Sequence, residues 1–167
     1  MRIGGFQRLS LIDFPGLVAA TVFTQGCNFR CGYCHNPELV IPDLFQVPIT
    51  PEVILDYLNS RRGKLEGVVI TGGEPTLQSG LVDFIVKIKT MGFSLKLDTN
   101  GSHPEVLASL FSLKLLDYVA MDIKSSLKNY AKAASIACDT AKIQESIQII
   151  IDSGIPYQFR TTTVKSY

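Results

Sequence analysis

The sequence has no tryptophan, two histidines, and 16 basic against 15 acidic residues, for a net charge of +1. This balance provides no broad basic field for nucleic acid and no acidic field for a cationic partner. No apolar run approaches the roughly 18 residues that a membrane-spanning helix needs, and the N-terminus lacks the layout of a signal peptide. We therefore expect a cytoplasmic protein with neither a nucleic-acid nor a membrane partner.

Several common catalytic patterns are also missing. The chain contains no Ser-His-Asp arrangement, no phosphate-binding P-loop and no dinucleotide glycine fingerprint. We expect His35 and His103 to be loop or cap residues without a catalytic role.

Cysteine is rare but concentrated: Cys27, Cys31 and Cys34 lie within eight residues. Such packing indicates a metal site in a reducing compartment rather than disulfides. Zinc would need a fourth ligand, and His35 is a poor one because it adjoins Cys34. A 4Fe–4S cluster takes four thiolates, so three would leave one iron open to a small molecule. A zinc knuckle and a set of structural thiols stay open as alternatives, and we expect Cys138 to be a buried small hydrophobe.

The rest of the chain alternates strands with helices. Apolar runs predict strands over residues 17–24, 67–71, 93–97, 118–123 and 157–164. Helices are predicted from Thr50-Pro51 to Gly63, from Leu81 to about Gly92, over residues 104–111, and from a cap at Asp139 to Gly154. Residues 1–16 are expected to form an ordered, non-helical arm, and residues 125–138 a loop with one helical turn. Strands that are apolar throughout are typical of a parallel sheet covered by helices, so we expect one α/β domain over residues 1–167.

Polar residues recur where the predicted strands end. The cysteines follow the first strand, and the later strand ends carry Gly72, Gly73, Glu74, Asp98, Asn100, Asp122 and Lys124. Loops that follow parallel strands meet at one edge of a sheet, so these residues are expected to form one site. Arg160 lies inside the last apolar run and should have a carboxylate partner, because arginine is seldom buried unpaired.

The spacing C-x3-C-x2-C, with Tyr33 directly before the last cysteine, resembles the signature of the radical S-adenosylmethionine (SAM) enzymes. The resemblance implies that Cys27, Cys31 and Cys34 hold a 4Fe–4S cluster whose open iron binds SAM. An electron from the cluster would release a 5′-deoxyadenosyl radical that abstracts hydrogen. The cofactor then carries the chemistry, while the protein binds, orients and excludes solvent.

The resemblance also implies roles for the strand-end residues. The Gly72-Gly73-Glu74 segment would meet the amino group of the cofactor methionine, and Lys124 would approach its carboxylate. Asp98 and Asp122 would share a structural cation or bond the ribose. The full predicted cofactor-binding set is Tyr33, Gly72, Gly73, Glu74, Asp98, Asn100, Asp122, Lys124 and Arg160. An ordinary glycine-rich turn, an Asn-Gly turn and a salt-bridged rim remain the structural alternatives for these segments.

Three further segments look like the glycyl-radical-enzyme activating proteins within this superfamily. They are residues 10–16 (Ser-Leu-Ile-Asp-Phe-Pro-Gly), residues 23–27 (Phe-Thr-Gln-Gly-Cys) and residues 34–37 (Cys-His-Asn-Pro). Within this group, residues 5–16 of the arm (Gly-Phe-Gln-Arg-Leu-Ser-Leu-Ile-Asp-Phe-Pro-Gly) are most similar to anaerobic ribonucleoside-triphosphate reductase activating proteins. This implies hydrogen abstraction from a backbone glycine of a partner enzyme, with a reductant such as flavodoxin or ferredoxin. Two alternatives stay open: a radical SAM enzyme acting on a small molecule, and a non-catalytic zinc or iron–sulfur docking module.

The fold implied by the resemblance is a partial (β/α) barrel of six units. Against that pattern the chain is expected to be truncated after the fifth strand, with the C-terminal part of the family fold absent. A second departure is Leu17-Val18, where other activating proteins commonly have an arginine. The strand edge near residues 157–167 would then be unpaired and would invite pairing or aggregation.

Overall fold

The computed structural model describes residues 1–164 and is built on one six-stranded sheet. The strands are β1 (Ile3–Ser10), β2 (Ala19–Thr24), β3 (Gly67–Gly72), β4 (Ser94–Thr99), β5 (Tyr118–Asp122) and β6 (Tyr157–Arg160). The helices are α1 (Pro51–Ser60), α2 (Leu81–Thr90), α3 (Pro104–Ser112), α4 (Tyr130–Ala134) and α5 (Thr140–Asp152). Short 3₁₀ helices cover Pro37–Leu39, Pro42–Leu44, Pro75–Leu77 and Leu127–Asn129. The predicted α/β class is confirmed.

The strands lie side by side in chain order, from β1 to β6. Strands β2 to β6 are parallel, and β1 pairs antiparallel with β2. Within residues 1–164 the sheet does not close on itself, because β1 and β6 occupy opposite edges. This open, mostly parallel sheet is consistent with the expected partial barrel.

The core lies between the parallel strands and the helices. Strand residues Val68, Ile70, Leu95, Leu97 and Val119 are completely buried, as are helix residues Ile54, Leu58, Ile85, Ile88, Leu107 and Leu110. Each such side chain contributes roughly 1.5–3 kcal/mol through burial, so the strand ends are held by a rigid scaffold. In the described part of the chain, no helix is long and apolar enough to cross a bilayer.

The N-terminal arm differs from its prediction because it contains a strand. Residues 1–16 are indeed non-helical, but β1 pairs with β2 from Ile3 opposite Thr24 to Ser10 opposite Ala19. Gly4 and Gly5 concealed this strand, since glycine is depleted in strands. Glycine is needed at position 4, where a Cβ would lie 2.5 Å from Cγ of Gln25.

Strand boundaries also differ from the prediction at both ends of the parallel sheet. β2 begins at Ala19 instead of residue 17, because a turn places Leu17 N against Phe14 O at 3.2 Å. β6 ends at Arg160 instead of residue 164, because its partner β5 ends at the opposing Asp122. Residues 165–167, and with them part of the predicted free edge, lie outside the described residues.

The two predicted helix caps have different outcomes. The Asp139 side chain accepts a hydrogen bond from Ala141 N at 3.0 Å, which confirms it as the cap of α5. Thr50 occupies the cap position of α1 but makes no side-chain cap hydrogen bond, and this helix ends at Ser60, before Gly63. Cys138 is partly buried against the core instead of fully buried.

Candidate functional site

The predicted site residues lie together in one cleft at the carboxyl edge of the sheet. It measures about 820 Å³, counting space open to solvent. All twelve predicted residues line it: Cys27, Cys31, Cys34, Tyr33, Gly72, Gly73, Glu74, Asp98, Asn100, Asp122, Lys124 and Arg160. The predicted convergence of these residues at one edge of the sheet is therefore observed, and their roles in binding stay predictions.

Seven further residues line the cleft that sequence reasoning did not include. They are Phe29, His35, Asn36, Val40, Thr71, Thr99 and Thr162. Thr71 and Thr99 lie at strand ends, so the same edge rule could have found them. Phe29 and Val40 are apolar residues in loops, and no pattern distinguishes them from core residues.

The cysteine loop, residues 25–36, is held at its start by contacts with the N-terminal region, the 3₁₀ helix Pro37–Leu39 and the chain after β3. Gln25 N donates to Arg2 O at 3.0 Å, and Gly26 N donates to Leu39 O at 2.8 Å. The Gln78 side chain donates to Gln25 O at 2.7 Å. The loop therefore leaves β2 in a fixed direction.

Arg30 stabilises the middle of the same loop through hydrogen bonds. Its Nη1 donates to Cys27 O at 2.6 Å and to Phe29 O at 2.8 Å, and its backbone N donates to Ala134 O at 2.8 Å. The buried Phe29 ring packs edge-on against Tyr130, with centroids 6.3 Å apart. The segment between the first two cysteines is thus anchored to α4.

The turn after β3 packs directly on the cysteine loop. Gly73 N donates to Thr24 O at 2.9 Å, and Glu74 N donates to Gly26 O at 2.8 Å. A Cβ on Gly73 would lie 2.1 Å from Gly26 O, so only glycine allows this backbone approach. Gly72 has a φ of +113° and equally little room. The two glycines leave bare backbone beside the cysteines.

Glu74 is buried, and its carboxylate is bonded within the protein. Oε1 accepts from Thr76 N at 3.1 Å, Thr76 Oγ1 at 2.6 Å and Thr99 Oγ1 at 2.7 Å. Oε2 accepts from Asn100 N at 2.7 Å. Burial raises the pKa of Glu74, and these donors oppose the shift. The carboxylate therefore joins the turn after β3 to the end of β4.

A charged wall of ion pairs, formed by Asp98, Asp122, Lys124 and Arg160, borders the cleft. Arg160 donates from Nε to Asp122 at 2.9 Å and from Nη1 to Asp98 at 3.2 Å, which gives it the expected carboxylate partners. Lys124 lies 3.0 Å from Asp122, and Lys96 lies 2.5 Å from Asp98. Burial lowers the pKa of Arg160, but both carboxylates outweigh it and raise the pKa overall. Sequence reasoning missed Lys96, because it lies inside a buried strand.

Burial also affects the thiols. It raises the pKa of Cys27 to about 11 and raises that of Cys31 above its usual value. A metal centre binds thiolates, so its assembly here would release protons.

The donor set fits an iron–sulfur cluster, because Cys27, Cys31 and Cys34 all line the cleft. A 4Fe–4S cluster takes one thiolate per iron, so its ligands need not meet at a point. Three thiols in one cleft, beside bare glycine backbone and a charged wall, suit such a cluster together with a polar small molecule.

The sequence of this chain is similar to those of known proteins. Residues 21–165 match the model of the Radical SAM superfamily. A protein of Methanocaldococcus jannaschii, to which a glycyl-radical enzyme activating function is attributed, is 38% identical over 170 residues. That match covers 97% of this chain and 68% of the relative. The pyruvate formate-lyase 1-activating enzyme of Escherichia coli K12 is 34% identical over 136 residues, or 74% of this chain and 52% of that enzyme.

A solved structure shares the fold. Native anSMEcpe with bound AdoMet matches with a TM-score of 0.63 over 81% of this chain and 40% of that one. The identity is 17%, so this likeness concerns the fold alone. The chain spans between about half and two thirds of the length of these two relatives. The region that matches the superfamily model, residues 21–165, contains every residue of the cleft.

Proposed function

Since this chain belongs to the radical SAM superfamily, we propose that it activates a glycyl radical enzyme. Enzymes of this superfamily use a 4Fe–4S cluster and SAM. When bound, these groups supply one-electron chemistry that removes a hydrogen atom from carbon, here from a backbone glycine of a partner protein. The supporting observation is one cleft that unites three thiols, a bare glycine turn and a charged wall.

The roles of the cleft residues follow from their chemistry. Cys27, Cys31 and Cys34 would hold the cluster as thiolates. The Gly72-Gly73 turn offers backbone polar groups to an amino group, because no side chain stands in front of them. Tyr33, between the cysteines, would close one side of the cleft around the cofactor.

The charged wall would bind the two ends of the cofactor differently. In the charged wall, Lys124 and Arg160 line the cleft together with Asp98 and Asp122, whereas Lys96 pairs with Asp98 without lining it. A cofactor carboxylate can pair with a cation at the cleft surface, and Lys124 is the cation we assign to it. The oxygens of Asp98 and Asp122 can accept hydrogen bonds from ribose hydroxyls.

The substrate we propose is a protein loop, and the partner an anaerobic ribonucleotide reductase. A cleft open to solvent can admit an extended peptide. We base this choice of partner on residues 5–16 of the N-terminal arm and on the similarity to relatives named as activating enzymes of glycyl radical enzymes. A small one-electron carrier such as flavodoxin or ferredoxin would reduce the cluster.

The test is anaerobic reconstitution of the chain with iron and sulfide, followed by electron paramagnetic resonance (EPR) of the reduced protein with and without SAM. We expect a brown protein whose signal changes when SAM is added. Cys31→Ala should lose the cluster, and Cys138→Ala, outside the cleft, should keep it. A glycyl radical signal after mixing with the reductase would establish the partner. A colourless protein that binds zinc, or a cluster that ignores SAM, would overturn the proposal.

A further inference from the structure

Two asparagine side chains join the cysteine loop to the end of β4. Asn100 Nδ2 donates to Asn28 Oδ1 at 2.9 Å. The same Nδ2 lies 3.9 Å from Cys27 Sγ, a long donor distance of the kind that the large sulfur atom allows. One amide group therefore contacts both the first cysteine and the residue after it.

This amide pair is itself held in place. Asn28 Nδ2 donates to Ser102 Oγ at 2.9 Å, and Asn100 Oδ1 accepts from Ser102 N at 3.0 Å. The Asn100 backbone N donates to the Glu74 carboxylate at 2.7 Å. Asn100 is only 5% exposed, and each polar atom of its side chain has a partner within the protein. Its orientation is therefore fixed before any ligand binds.

The Cys27 sulfur receives a second donor, the backbone N–H of Phe29 at 3.3 Å. N–H groups that face a thiolate stabilise its negative charge. Reduction of an iron–sulfur cluster adds one negative charge, so hydrogen bonds to the ligating sulfurs raise its reduction potential. A donor fixed on the Cys27 sulfur would thus make the cluster easier to reduce.

We propose that Asn100 is a positioning residue: through Asn28 it fixes the cysteine loop, and through Cys27 it raises the reduction potential of the cluster. This differs from the sequence-based expectation that Asn100 binds the cofactor. The inference rests on the proposed function, because it concerns the same cluster.

The test compares the wild-type protein with Asn100→Ser, Asn28→Ala and Asn59→Ser. Serine is uncharged and can still accept from Ser102 N, but it is too short to reach Cys27 or Asn28. Asn59→Ser is the matched control, at an exposed position at the end of α1. Two quantities are measured: the midpoint potential of the reconstituted cluster, by redox titration with EPR, and the backbone amide exchange of residues 27–31 in the cluster-free protein.

We expect Asn100→Ser to lower the midpoint potential and to speed exchange in residues 27–31. Asn28→Ala should speed exchange as well and lower the potential less, and Asn59→Ser should change neither. If Asn100→Ser weakens SAM binding while potential and exchange stay at wild-type values, the inference is wrong and Asn100 is a cofactor contact. Should Asn100→Ser fail to fold, unchanged exchange and potential in Asn28→Ala would overturn it. If the wild-type protein takes up no cluster, the proposed function fails, and amide exchange alone decides the positioning role.

Discussion

Replacing Glu74 by glutamine distinguishes a structural carboxylate from a cofactor contact. Glutamine has nearly the same shape, and its oxygen can keep the three hydrogen bonds that Oε1 accepts from Thr76 and Thr99. Its amide nitrogen must then face Asn100 N, which donates to Oε2 in the native protein. Two donors would confront each other in a site that is 1% exposed.

The expected loss includes at least one unsatisfied donor, the Asn100 N–H. A buried donor left without an acceptor costs about 1–3 kcal/mol. For a chain of this length, 1 kcal/mol lowers the melting temperature by roughly 2–4 °C, so a loss of about 2 kcal/mol corresponds to about 4–8 °C. Thermal and urea unfolding of the cluster-free protein measure it directly, without a need for cofactor.

Glu66→Gln is the matched control. The Glu66 carboxylate also accepts one backbone hydrogen bond, from Val18 N at 2.9 Å, but at an exposed position. Water can replace that bond, so the change in unfolding free energy should stay within about 0.5 kcal/mol. If Glu74→Gln unfolds like the wild type and instead binds SAM more weakly, the carboxylate faces the cofactor and the structural reasoning is refuted.

Three other changes test the packing of the site. Gly73→Ala should destabilise the fold by about 1–3 kcal/mol and prevent cluster uptake, because its Cβ would meet the Gly26 carbonyl. Gly5→Ala is the control and should have neither effect, since its Cβ would lie 3.5 Å from its nearest neighbour; equal urea midpoints for the two variants would contradict the prediction. Arg160→Lys should lower the unfolding free energy by on the order of 1 kcal/mol, screened by solvent, because lysine cannot bridge two carboxylates, and an unchanged urea midpoint would show that the bridge contributes nothing. Burial raises the pKa of Tyr130 to about 12, above the usual 10. Its contribution to the free energy of unfolding is therefore present below pH 10 and is lost as the pH rises to 12, by up to about 3 kcal/mol. Tyr130→Phe should lack this part of the alkaline loss when unfolding is measured against pH, and a parallel decline in both proteins would disprove the shift.

The convergence of the candidate site residues on one cleft could be predicted because it depends only on local features of the sequence. Apolar runs mark the parallel strands, and the residues after each run must lie at the same edge of the sheet. No knowledge of side-chain partners is needed for that step. The cysteines after β2, the glycines after β3 and Asp122 at the end of β5 all reach one cleft for this reason.

The partners of each polar group could not be predicted, because they depend on register between strands. Asp98 lies opposite Ala120 and Asp122 lies opposite Arg160, which brings both carboxylates to one guanidinium. A register shift of one residue would turn each of these side chains to the other face of the sheet. Lys96 is a different case: it lies two residues before Asp98 in β4, so strand alternation places both side chains on one face whatever the register, and this pair could have been predicted.

The polar residues of the cleft fall into two groups with different chemical capacities. Glu74 and Asn100 have their side-chain polar atoms bonded within the protein, so they fix the loops against one another. Lys124 and Arg160 are held by carboxylates yet remain partly exposed at the cleft wall, so they can still meet a charged ligand. The first group orders the cysteine loop and the turn after β3 in advance, so a ligand in the cleft does not have to order them when it binds. Substitutions in the first group should therefore affect unfolding and loop exchange, and those at Lys124 should affect cofactor affinity while leaving the loops in place.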